Sequence, residues 1–583
     1  MATSREIVSR AARARPERFA KIRLNHMTGT ELYRFGEFTL DVADRRLWHG
    51  TDTVPLTPKA HDLLVALVRS AGRLVTKRDL LDVVWPDSFV EEGILSVHVS
   101  ALRKALRHAN GSMVYIETVP RSGYRFVAPV AEQPMHDLRC LAVLPAQPIV
   151  PADTPADRAI GLAIADSLIT ALGAWGQVVV RPLRAVQDHA NIPAEQTGEI
   201  ARSLEVDAIV LSRFARTGAS LDVSAQLIRA SDGACLWSGR VGETPGPGLP
   251  RAIARSLAER RSIDPRVYEL IGRGRQRLLT ASIREVPQAI ADYRAALELD
   301  NTYAAAHAGL ALAHCAAVEA RAESPADGYR EARGSALRAL AMDGQCADAQ
   351  VALGAVLFLG EWDWAAAERC LARALDLNPN HTEAYLLYGR LLEAVGRVDD
   401  GLAMKLRALE RDPSSPLVHL QIAMSYWHLR RYDAAIEWAN RTLALDPRHL
   451  GAREQIAAAY LKKGDVDRHM EENIRHAESY GVSAEALAPL KEAYANGGRP
   501  GVVRYVLEQS RAGAQAPAMQ LALFNGEAGD LDAAFLHLNR AIDSRDPCLV
   551  HLAVAPQWDD LRADPRFAGC LTRMGLGNGA MGQ

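Results

Sequence analysis

Apolar residues recur at helical spacing at Leu95, Val99, Leu102 and Leu106, predicting one helix across Phe89–Arg107 with a buried stripe. Its other side carries Val97, Ser100, Ala101 and Lys104, with Arg103 and Arg107 at the edges. Short side chains flanked by cations suit a helix that enters a major groove, because the backbone can approach base edges while Arg and Lys reach phosphates. An ordinary amphipathic helix with a solvated basic face would show the same pattern. The pattern then changes. Met113–Val119 reads as a strand, Pro120-Arg121-Ser122-Gly123 as a turn with a cation at its tip, and Tyr124–Val127 as the return strand.

From Leu138 to Val241 strands and helices alternate. Cys140–Pro145, Val178–Val180 and Ala208–Leu211 read as strands, with helices over Ala159–Leu172 and Glu195–Leu204 between them. Leu221–Ile228 and Ala234–Val241 read as a hairpin around Ser231-Asp232-Gly233. Gly242–Pro250 is a Gly/Pro-rich linker. Beyond about Asp264 the chain is helical. Asn378-Pro379, Asp412-Pro413 and Asp446-Pro447 recur 34 residues apart, the period of tetratricopeptide repeats. Gly389 and Ala423 are small where the two helices of a repeat must approach, and each proline ends a second helix. Glu361-Trp362-Asp363-Trp364 adds a residue to one turn.

A basic helix followed by a hairpin is the outline of a winged helix. Residues Tyr33–Val127 resemble the OmpR/PhoB-type winged helix-turn-helix DNA-binding domain. The resemblance runs through Leu56–Leu64 as its first helix, Val75–Trp85 as its second, Val97–Leu106 as its recognition helix and Thr118–Phe126 as its wing. It implies that Val97, Ser100 and Ala101 lie nearest base edges, that Arg103 and Lys104 hold phosphates with Arg107 beside them, and that Arg121 and Arg125 flank the minor groove. Arg is frequent in the family where Ser100 and Ala101 stand here, so bidentate guanine contacts are not expected from them. Apolar contact with thymine methyls and DNA shape take their place. Trp85 and Tyr124 are expected to anchor the core. The alternating region resembles the N-terminal domain of TolB and its cytoplasmic relatives through "LAVLP", "SLITAL", "VDAIVLS" and "AQLIRASDGACLWSGR".

The expected architecture is multidomain: a basic tail over 1–30, an α+β winged helix over 31–130, an α/β domain over 137–242, a linker over 243–263 and an all-α tetratricopeptide superhelix over 264–575. The formal net charge of −2 excludes a polycation as a whole but not a basic face on one domain. Seven scattered cysteines without metal-ligand spacing point to reduced thiols in a cytosol, and no cofactor or metal is assigned. No Gly-rich phosphate loop, nucleophile elbow or carboxylate pair is legible, and Gly272-Arg273-Gly274 lacks the third glycine of a nucleotide fingerprint, so no enzyme is expected. No run of about twenty apolar residues suggests a membrane span. The stretch ahead of the winged helix is short for a phosphoacceptor domain, and Met27 is an alternative start.

The function expected is a sequence-specific transcriptional regulator that binds double-stranded DNA. Its α/β and repeat domains would receive a signal, bind a protein or peptide partner, or assemble homo-oligomers. A repeat scaffold using the winged helix as a protein-binding module is the alternative. Tyr385, Tyr388, Tyr426, Trp427, His428 and Trp438 either line a partner groove or pack between repeats.

Overall fold

The computed structural model describes residues 32–577 apart from 43–44, 50–51, 86–89, 91–92, 107–113, 129, 133–137, 150–153, 190–195, 218–219, 241–252, 254–263, 280–283 and 514–515. The basic tail, Arg107 and the Gly/Pro-rich linker therefore lie outside the described residues.

The first domain opens with β1 (Leu32–Phe35), β2 (Phe38–Asp41), β3 (Arg46–His49) and β4 (Asp52–Val54). Then come α1 (Pro58–Arg69), β5 (Leu74–Thr76), α2 (Lys77–Val84), α3 (Gly93–Ala105), β6 (Ile116–Val119), β7 (Gly123–Phe126) and β8 (Ala131–Glu132). Two sheets form, β4-β3-β2-β1-β8 and β5-β7-β6. Between them Phe35, Phe38, Leu63, Leu67, Leu102 and Phe126 make one core. Thr57 and Thr76 start α1 and α2 by accepting hydrogen bonds from the backbone N–H groups of Ala60 and Asp79.

The second domain holds β9 (Cys140–Val143), β10 (Gln147–Pro148), α4 (Pro155–Trp175), β11 (Val179–Val180), α5 (Leu183–Val186), α6 (Thr197–Ser203), β12 (Ala208–Thr217), β13 (Ser220–Arg229) and β14 (Cys235–Arg240). Its sheet runs β11-β9-β12-β13-β14, parallel on one side and antiparallel through the long hairpin, with β10 added on β12. β12 extends well past the four residues that its apolar run marks, because ten successive pairs with β13 carry it on to Thr217.

Helix α4 is long and apolar enough to cross a membrane by length and composition. Here it covers the sheet with Ile160, Ile164 and Leu168, and its other side meets the first repeat helix. Being covered on both sides explains its apolar character all round.

The repeats begin with α7 (Pro265–Leu279), α8 (Val286–Leu299), α9 (Ala304–Glu319), α10 (Pro325–Met342) and α11 (Ala347–Ala355). They continue with α12 (Trp364–Leu377), α13 (Thr382–Ala394), α14 (Val398–Arg411), α15 (Pro416–His428), α16 (Tyr432–Leu445), α17 (Leu450–Lys462) and α18 (Val466–Ser479). The glycines at 272 and 274 serve this packing. A Cβ on Gly272 would stand 1.9 Å from the Ala159 carbonyl oxygen of α4, and one on Gly274 would stand 2.8 Å from the Tyr293 ring. Gly389 does what its repeat position implies: a Cβ there would meet the Gly401 carbonyl oxygen at 2.8 Å.

The extra residue near Trp362 is absorbed by a π-turn over Val356–Glu361 that ends with Trp362 at φ 58°. Past Tyr460 the period loosens, and the helical stretch Ala484–Arg511 breaks at Gly498, whose φ is 57°. Tyr385, Tyr388, Trp427, His428 and Trp438 are all buried, and Tyr426 partly so; these side chains pack between helices instead of lining a groove. The cysteines carry no disulfide among the described residues.

Candidate nucleic-acid interface

Leu95, Val99, Leu102 and Leu106 are buried to within 3% or less of full cover, so the stripe on α3 faces the core. The opposite side is open. Val97, Ser100, Ala101 and Lys104 are exposed, and Val97 keeps 66% of its surface. α2 stands before α3 in the helix-turn-helix, and Trp85 closes it. Its ring is buried beside His98, 5.3 Å between centroids, while Lys59 donates to the Val84 carbonyl oxygen at 2.6 Å. Tyr124 is buried next to Ser96, with 3.4 Å between the hydroxyls. Both aromatics are core anchors.

The wing is the β6–β7 hairpin. Arg121 sits exposed at its tip with φ 65°, a left-handed position that aims the turn outward. The Ser122 carbonyl accepts from the Lys77 N–H at 3.2 Å, which ties the tip to the start of α2.

Two of the cations expected at DNA are engaged within the chain. Arg103 donates from Nε and Nη2 to the Ile116 carbonyl oxygen, at 3.1 and 2.8 Å, and from Nη2 to Thr118 Oγ1 at 2.7 Å. It thereby braces the recognition helix against the wing. Arg125 lies 3.4 Å from Glu117 on the neighbouring strand. Lys104 and Arg121 remain solvent-facing.

Gly123 is a close-approach position. A Cβ there would stand 2.0 Å from the Val75 carbonyl oxygen and 2.9 Å from Thr76 Cα, both backbone atoms of β5. Gly123→Ala is therefore expected to lever the wing off β5 and to destabilise the domain by about 1–3 kcal/mol. Thermal unfolding together with duplex-DNA anisotropy would measure both consequences.

Comparison with known proteins agrees with this geometry. Residues 50–126 match the family described as "Transcriptional regulatory protein, C terminal", and residues 358–424 and 418–449 match tetratricopeptide repeats. The first domain is an OmpR/PhoB-type winged helix. Over 119 residues the chain is 39% identical to "Transcriptional regulator HilA" of Salmonella typhi, covering 19% of this chain and 21% of that protein. Over 127 residues it is 31% identical to "Transcriptional activator CadC" of Escherichia coli, covering 21% and 25%. The "Phosphate regulon transcriptional regulatory protein PhoB" of Rhizobium meliloti is 40% identical over 94 residues, 16% of this chain and 41% of that one. Among solved structures, the DNA-binding domain of Escherichia coli CadC is 30% identical and covered to 99%, with 18% of this chain aligned and a TM-score of 0.17. The chain thus spans only about a fifth to two fifths of these curated relatives.

A second polar cluster lies in the repeats. Glu393, His428 and His551 bring their ligand atoms within 4.8 Å of one another. The cation held by this carboxylate is Lys405, whose Nζ is 2.7 Å from Glu393 Oε1 and 2.9 Å from the Gln421 carbonyl oxygen. Ser425 Oγ also donates to Oε1, and His428 Nδ1 lies 3.0 Å from Oε2. Burial alone would raise the Glu393 carboxyl, but Lys405 and then His428 outweigh it and hold it well below the ordinary range. Nothing in the sequence marks this pair, since on a helical wheel both read as ordinary surface charges.

Proposed function

We propose that the chain is a DNA-binding transcriptional regulator. In this reading the winged helix reads duplex DNA, and the sheet domain and repeats receive a signal, hold a protein or peptide partner, or bring copies together. The observation that carries it is the open face of α3 in the full chain: Val97, Ser100, Ala101 and Lys104 are exposed beside an exposed Arg121, over a fully buried stripe. The TolB-like identity of the sheet domain and a cytoplasmic setting belong to the same proposal, and it assigns no catalysis to that domain.

Val97 and Ala101 supply apolar contact for thymine methyls, and Ser100 a single hydroxyl. Lys104 and Arg121 meet phosphates. Arg103 positions the wing, and Arg125, held by Glu117, stiffens the hairpin beside the groove. Arg107, which lies outside the described residues, is assigned to the phosphate contacts from its place in the sequence alone.

The test is anisotropy of labelled duplexes at two or more salt concentrations, with sequencing of the fragments that the protein retains. Binding should fall steeply with salt; binding without a salt dependence would fit a scaffold and overturn the reading. Lys104→Ala is expected to weaken all duplexes alike and to reduce the salt slope by roughly one unit. Arg103→Ala is expected to weaken binding while the slope stays put, because its guanidinium serves the wing; a slope lowered by about one unit would return Arg103 to the phosphate contacts. If copies pair on DNA, affinity should also depend on half-site spacing.

A further inference from the structure

The exposed side of α3 holds few kinds of chemistry. Val97, Ser100, Ala101 and Lys104 stand at i, i+3, i+4 and i+7, on one face opposite the buried stripe. The described helix, Gly93–Ala105, contains no Asn, Gln, Asp or Glu, the side chains that pair with adenine or cytosine edges. Its one arginine is drawn back to the wing, where Arg103 donates to the Ile116 carbonyl oxygen and to Thr118 Oγ1. His98 is half-buried beside the Trp85 ring, and the Ser96 hydroxyl lies 3.4 Å from the Tyr124 hydroxyl.

What remains at the centre of the face is two aliphatic side chains and one hydroxyl. Val97 and Ala101 lie one turn apart, about 6 Å along the axis, close to two base-pair steps of about 3.4 Å each. Each therefore meets a different base pair. In the major groove the apolar group that a base pair offers is the thymine C5-methyl, and 5-methylcytosine carries a methyl on the same ring atom. The two pyrimidines differ there in the neighbouring group, a carbonyl acceptor in thymine and an amino donor in cytosine. A serine hydroxyl both donates and accepts, so Ser100 suits either. Lys104, at the far end of the face, meets phosphate, which carries no sequence information.

We propose that α3 reads the C5-methyl group of pyrimidines, binding thymine and 5-methylcytosine alike, and uracil and unmethylated cytosine less tightly. The inference rests on the DNA-binding reading above and names what that site recognises. It also gives the site a regulation. Methylation at C5 of an operator cytosine converts a disfavoured base pair into an accepted one without a change of sequence. The driving force is removal of the methyl and of the Val97 and Ala101 side chains from water, which is non-directional. Discrimination is therefore modest at each position and accumulates over the two.

The test uses the full-length protein and the tightest duplex recovered by fragment sequencing, resynthesised with deoxyuridine in place of thymidine and, separately, with cytosine or 5-methylcytosine at the same positions. Uracil removes only the methyl and leaves base pairing and the minor groove as they were. Anisotropy should show uracil weakening binding about fourfold for one contacted methyl and about tenfold or more for both. The 5-methylcytosine duplex should bind tighter than the cytosine duplex by a similar factor. Val97→Ser, at an exposed position, should keep the wild-type melting temperature and lose most of the uracil penalty. A uracil duplex bound as tightly as the thymine duplex, 5-methylcytosine no better than cytosine, or an undiminished uracil penalty in Val97→Ser would overturn the methyl reading while DNA binding stands. A protein that retains no duplex at all overturns both.

Discussion

Glu393→Ala is expected to destabilise the repeat region by about 3–5 kcal/mol, because it strands the buried Lys405 ammonium without its carboxylate. Both side chains have no solvent exposure, and α13, α14 and α15 converge on them. Glu393 Oε1 accepts from Lys405 and Ser425, and Oε2 faces His428 and, at 4.0 Å, His551 of the C-terminal segment. One carboxylate therefore ties three helices to a turn more than 150 residues away. Replacing both partners together, as Glu393→Met with Lys405→Met, should recover most of the loss, since no uncompensated charge then remains inside. Chemical denaturation of the two variants would separate the cost of breaking the pair from the worth of having it.

The same cluster makes stability fall in acid. Burial, and then the neighbouring His428, hold His551 well below the ordinary histidine value of 6.5. Its neutral ring contributes fully above about pH 6.5, and that contribution is lost as the pH falls and the unfolded chain takes up the proton. Glu393 adds its own loss only below the ordinary glutamate value of 4.5, again because its folded affinity for the proton is the lower one. His551→Gln should flatten the upper part of this decline and leave the lower part in place, as read from melting temperatures between pH 7 and 4.

How far such features could be read from the chain depends on how local their causes are. The winged helix was legible because strand, helix, turn and wing signals follow one another at fixed offsets, and each is set by a few neighbouring residues. The repeats were legible through the 34-residue spacing of Asn378-Pro379, Asp412-Pro413 and Asp446-Pro447. The strands of the sheet domain followed from the apolar pattern, but their order and the true length of β12 did not; pairing with β13 extends β12 through polar positions such as Ser212 and Arg213. Arg103 read as a DNA-facing cation since its position on α3 was clear while the reach of the wing to it was not. For the aromatics of α13, α15 and α16 the sequence left a groove and packing between repeats both open, because a helix pressed on by neighbours on several sides has no polar face to give its burial away. The seam between the sheet domain and the repeats left no trace at all, because its partners lie some 200 residues apart.

At that seam, Arg181→Met is expected to uncouple the sheet domain from the superhelix. Arg181 is 4% exposed and donates to four backbone carbonyl oxygens. Two, of Leu204 and Glu205, belong to its own domain at 2.8 and 2.9 Å. The other two, of Glu410 and Arg411, are the last carbonyls of α14, at 3.0 and 2.9 Å. A helix C-terminus carries unsatisfied acceptors and partial negative charge, so a planar cation seated there meets both needs at once. Asn380 completes the join, accepting from the Val180 N–H at 3.3 Å and donating to the Val178 carbonyl at 2.9 Å. Methionine keeps most of the volume but supplies no donor, and each buried carbonyl left unpaired costs about 1–3 kcal/mol. Lysine keeps the charge but cannot fork toward both domains, so Arg181→Lys should recover only part of the loss. The readout is cooperativity: the wild-type sheet domain and repeats should unfold in one calorimetric transition, and Arg181→Met should split it in two. A single, merely shifted transition would mean that the contact between α4 and α7, with Arg275 paired to Asp166 at 3.4 Å, holds the two domains together without the arginine.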